Sequence, residues 1–139
     1  MGKINLGRVI LGGIVAGIII DIVEYLLNGI ILADRWQALM TSLNLPQVGT
    51  GAIIGFNLIG LVTGIAAVWS YAAIRPRFGE GPSTAFIAAI LIWLVGYLLP
   101  NAGNVAMGVY TVQLALILTA VGLVEIVVAT LAGAFIYKE

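Results

Sequence analysis

Apolar residues run through this chain in long unbroken blocks, at positions 9–32, 51–74, 84–99 and 109–136. A bilayer core takes about 20 apolar residues as helix. The blocks therefore predict four membrane-spanning helices, the third short and stopped by Pro100, the fourth long enough to tilt. Membrane strands would alternate instead. Between the first two blocks the pattern changes. Trp36, Leu39, Met40 and Leu43 recur at i, i+3, i+4 and i+7, with Gln37, Thr41 and Asn44 between them. That spacing predicts a short amphipathic helix in the outer interface, an anchor or lid, ended by Pro46. Residues 75–82 read as a tight turn, with Ser83 capping the third span. The segment Pro100–Gly108, with Asn101 and Asn104, reads as a second outer loop, re-entrant or not.

Composition sharpens this reading. Of 139 residues, 62% are hydrophobic and 9% charged, too few charges to keep a soluble surface wet. Six basic residues balance six acidic ones, so there is no basic face for nucleic acid. With no cysteine or histidine, disulfides, thiol nucleophiles, histidine-ligated metals and Ser-His-Asp chemistry are excluded. Lys3, Arg8, Arg75, Arg77 and Lys138 fall on one side of a four-span chain, and Arg35 falls on the other. The positive-inside rule then puts both termini in the cytoplasm. The first block continues past Asp21 without a small-x-small cleavage site, so it is read as a span rather than a cleaved leader.

The candidate chemistry lies inside the spans. At 100° per residue, Gly13, Gly17, Asp21, Glu24 and Asn28 share a face of the first helix. Asn57, Gly60, Gly64, Ala67 and Tyr71 share one on the second. Thr111, Ala115, Gly122, Glu125, Ala129 and Gly133 share one on the fourth. Small residues permit close helix approach in lipid, and polar ones avoid lipid by turning inward. The first, second and fourth spans are thus expected to pack by these faces, with Gly13, Gly17, Gly60, Gly64, Gly122 and Gly133 at the crossings. Asp21 and Glu125 lie roughly 18 and 16 Å from their cytoplasmic helix ends, close to one depth. No Lys or Arg within the spans neutralises them. A carboxylate there costs about 2.5–3.5 kcal/mol on the insertion scale. A proton, a bound cation or water must compensate it. As a proton or cation pathway, Asp21, Glu24 and Glu125 would exchange protons or hold an ion, with Asn28 and Asn57 supplying neutral oxygens. As structural glue, the same groups would hydrogen-bond across helices. Catalysis has no motif, since Asp21 and Asp34 are the only aspartates. No cofactor is expected beyond a bound cation or lipid. Phe86, Trp93 and Tyr97 line one face of the third span as packing or lipid contact. Trp36, Tyr97, Tyr110 and Tyr137 read as interface anchors.

Arg8-Val9-Ile10-Leu11-Gly12-Gly13, Ala72-Ala73-Ile74-Arg75-Pro76-Arg77-Phe78-Gly79, Gly96-Tyr97-Leu98-Leu99-Pro100-Asn101 and Leu123-Val124-Glu125 resemble segments of small bacterial four-span membrane proteins of unknown function. The resemblance implies a bacterial inner-membrane setting and carries no activity. The expected fold is an all-α four-helix membrane bundle with both termini inside. It would act in the lipid bilayer as a homo-oligomer or with a membrane partner, either as a proton- or cation-responsive transport or channel element or as an accessory subunit of a larger complex. An enzyme acting on lipid ranks third.

Overall fold

The computed structural model describes residues 3–139, and among these there is no strand. Helix α1 (Leu6–Glu24) starts at Asn5, whose side chain accepts a hydrogen bond from the Arg8 amide at 3.2 Å, a standard N-cap. It widens into a π-helical stretch, Tyr25–Ile31. A short helix α2 (Ala33–Ser42) follows. Helix α3 (Thr50–Phe78) is the longest. Helix α4 (Pro82–Trp93) runs through a π-helical stretch, Leu94–Leu98, into α5 (Leu99–Ala106). Helix α6 (Val112–Ile136) closes the chain, capped by Thr111. Four continuous helical segments, Leu6–Ile31, Thr50–Phe78, Pro82–Ala106 and Val112–Ile136, are long and apolar enough to cross a membrane.

Several boundaries depart from the sequence reading, for local reasons. Residues 75–78 are not turn: α3 continues through Pro76 to Phe78. A proline in the last turn removes only one ladder hydrogen bond, so the helix survives it. The connection is the three residues Gly79–Gly81, with φ of +85° and +122° at the two glycines, values favourable only without a Cβ. Ser83 is not the cap of α4. Gly81 occupies that position and Pro82 opens the helix, where its missing N–H costs nothing. The third long segment does not stop at Pro100. The turn before that residue loosens to i+5 bonding, with the Leu99 amide reaching Leu94 O. This absorbs the missing Pro100 N–H, and Pro100–Ala106 is helix rather than loop. Helix α2 ends at Leu43, before Pro46, where Asn44 takes a positive φ of 53°.

Helix α1 packs against α3 and α6, α4 packs against α6 and α3, and α3 meets α6 across the middle. Both ends of the described chain lie at one end of the bundle. There the Asn5 amide donates to the Tyr137 hydroxyl at 3.3 Å, and Tyr71 meets the Tyr137 ring edge-on. The core is built from small side chains: Ala16, Ala67, Ala72, Ala85, Ala88, Ala89, Ala129 and Ala134, filled out by Val9, Ile20, Val68 and Ile126. Small residues let the backbones come together, so dispersion between helices replaces the hydrophobic drive that lipid cannot supply. At the other end, Leu27, Leu32 and Leu114 form a second cluster under Trp36, Tyr110, Ile117, Leu118 and Val121. Large apolar side chains such as Ile18, Phe56, Ile59, Val62, Phe86 and Val124 point outward, the surface of a bundle solvated by hydrocarbon.

Candidate functional site

The glycines single out where helices touch. Gly64 of α3 sits between the Gly13 carbonyl and the Gly17 amide of α1, and a Cβ there would fall on backbone. A Cβ on Gly17 would lie 2.6 Å from Leu61 Cα, and one on Gly60 would fall on the Asp21 carboxyl. On α6, Gly133 faces Gly12 O and Val68, and Gly122 faces the Tyr97 ring. These contacts draw α1 and the segment holding Tyr97 close to α6, and so carry the acidic side chains inward.

Glu125 is 2% exposed, the most enclosed charged residue among those described. Its Oε1 accepts a hydrogen bond from the Tyr97 hydroxyl at 2.6 Å, while Oε2 has no protein donor. The half-buried carboxyl of Glu24 lies within hydrogen-bonding reach of it. The Asn28 amide donates to Glu24 Oε2 at 2.5 Å, and Asn28 Oδ1 in turn accepts from Trp36 Nε1 at 2.9 Å. A continuous chain of polar contacts therefore runs Trp36, Asn28, Glu24, Glu125, Tyr97. It links α2, the π-helical extension of α1, α6 and the π-helical extension of α4. Two ionised carboxylates are acceptors only, so a bond between Glu24 and Glu125 requires a proton on one of them. Among the described residues the ion pairs are Arg75 with Glu80 and with Glu139, so no cation reaches this centre.

The other expected members stand apart. Asp21 is half-buried one turn before Glu24, against Gly60. Asn57 is exposed on the outside of α3 and joins no hydrogen bond to the carboxyl pair. Thr111 caps α6, accepting from the Leu114 amide at 3.2 Å, and does not line the interior. No group of three or more acidic side chains among the described residues converges as a metal site would require. Two participants were assigned other roles from sequence. Tyr97 and Trp36, read as interface anchors, both turn a polar edge inward. Gly122, one turn before Glu125 and with no Cβ of its own, was the available sign that a ring fits beside that carboxyl. Nearby, Trp93 Nε1 donates to Thr119 O at 2.9 Å and Asn101 Nδ2 to Thr119 Oγ1 at 3.1 Å, fixing the Tyr97 segment against α6. Tyr110, edge-on to Trp36 at 5.7 Å, is held above the usual phenol range by burial and stays neutral.

Comparison with protein-family models, with curated proteins and with solved structures returned no match.

Proposed function

We propose that this chain is a proton-responsive transport or channel element of a bacterial inner membrane, with both termini cytoplasmic and α2 on the outer face. The observation carrying this reading is the Glu24–Glu125 carboxyl pair, brought together from two long helices with no basic partner. Intramembrane acids enclosed in this way mark proton and ion routes. A proton is favoured over a metal ion because the acids do not converge in threes. Glu24 and Glu125 exchange the proton, Tyr97 and Asn28 hold the two carboxyls in register, and Asp21 stands one turn nearer the cytoplasmic end. Reconstitution into liposomes with an entrapped pH dye tests this. The expected outcome is proton flux that falls to background in Glu24→Gln and in Glu125→Gln, each variant shown to remain helical and monodisperse. Flux unchanged by both substitutions rejects the assignment.

A second reading, an accessory subunit working in an assembly, draws on Asn57. Its amide faces outward in the apolar first half of α3, beside Gly51 and Gly55, around which nothing lies within 4 Å. A polar side chain on a lipid-facing surface finds its partner across a helix interface. A homo-oligomer satisfies both readings. A stable stoichiometric partner in purified native membranes favours the second.

A further inference from the structure

At the end of the bundle where the termini meet, α3, α4 and α6 enclose an open cleft of about 530 Å³. Its inner wall is apolar, from Ala85, Leu131 and Phe135, and its mouth carries Arg75, Lys138, Glu80 and Glu139. Arg75 is the deepest charge. Its side chain is 17% exposed, and its guanidinium lies 5.5 Å from the centre of the Tyr137 ring. Nη2 pairs with Glu80. Nη1 is buried and lacks a hydrogen-bond partner, with Glu139 Oε1 at 3.8 Å, beyond hydrogen-bond distance. The two glutamates are the outer charges, with side chains 75% and 45% exposed.

We propose that this cleft binds a phospholipid with an aminoethyl headgroup. The phosphate sits against Arg75 Nη1 and Lys138, the ammonium turns outward to Glu80 and Glu139, and an acyl chain lies along Ala85, Leu131 and Phe135. Three features select this ligand class. A buried guanidinium N–H without an acceptor suits a phosphate oxygen. Cation inside and anions outside match the order of charges along a phosphoethanolamine group and oppose a purely anionic head. The apolar wall below the charges requires a hydrocarbon tail, which a free phosphate ester lacks. This site lies apart from the carboxyl pair and stands whether or not the chain moves protons.

The test is native mass spectrometry of the full chain released from nanodiscs containing equal phosphatidylethanolamine and phosphatidylglycerol. The expected result is a retained phosphatidylethanolamine, weakened about tenfold in Arg75→Gln, the loss of one charge-assisted hydrogen bond. In the Glu80→Gln/Glu139→Gln double variant, which alters only exposed side chains, retention shifts towards phosphatidylglycerol. Soluble O-phosphoethanolamine does not displace the lipid at equal concentration. Equal retention of the two lipids by the unmodified chain overturns the proposal, as does an unchanged preference in the double variant. Displacement by the soluble ester overturns the lipid assignment. The double variant decides the matter even if Arg75→Gln fails to fold.

Discussion

Single residues decide whether the carboxyl pair forms. Gly122 leaves the space into which the Tyr97 ring fits, and the Tyr97 hydroxyl supplies the donor that Glu125 Oε1 uses. Tyr97→Phe keeps the ring and removes the donor. It is expected to lower stability by about 1–3 kcal/mol, the cost of an unsatisfied buried acceptor, read by thermal unfolding in detergent. Gly64→Leu drives a side chain into the backbone of Gly13 and Gly17. It is expected to separate α1 from α3, lowering the unfolding temperature and reducing yield well beyond the effect of Gly55→Leu, where nothing lies within 4 Å. Glu24 and Glu125 could be read from sequence because helical periodicity and depth are both additive along a regular helix. Asn57 could not be placed that way. It shares an arc with Gly60 and Gly64, but it lies beyond the stretch where α1 and α3 touch, and nearly all of residues 50–59 are exposed. A helical wheel gives direction and is silent on where two helices part.

At the scale of elements, the two π-helical stretches explain what periodicity missed. Asn28 and Tyr97, which bond the two glutamates, both sit in them. Such a turn carries extra residues and rotates everything after it, so phases computed at 100° per residue fail there. For Leu94–Leu98 the cause is legible in hindsight: Pro100 forbids the regular ladder. Pro100→Ala is expected to return this turn to α geometry and swing Tyr97 off Glu125. The readout is a tyrosine hydroxyl band in infrared difference spectra that loses its carboxyl-bonded position. Helix α2 is tied to the pair through Trp36 and Asn28. In a Trp69→Phe/Trp93→Phe background, Trp36 emission is expected to shift to the red as pH rises and the shared proton is lost, freeing the indole towards water. The same titration in Glu24→Gln is expected to be flat. A flat titration in the parent would remove α2 from the proton chemistry.

For the whole molecule, the all-helical class and the number of long helices followed from block length and composition alone. The order of packing did not, since nothing in four apolar blocks says that α3 and α6 meet across the middle. The core explains why this suffices without bulky residues: alanine faces bring backbones together, and the large side chains are left for the lipid. Self-association through α3 is open to a direct measurement, because the chain contains no cysteine. Asn57→Cys is expected to give a disulfide-linked dimer on mild oxidation, whereas Ile14→Cys on α1 is not. The Asn5–Tyr137 hydrogen bond has a practical consequence. Because the chain comes back to its starting end, two copies can be concatenated through a brief hydrophilic linker without inverting either one. A tandem pairing one intact unit with one Glu125→Gln unit would then count how many working carboxyl couples each assembly needs.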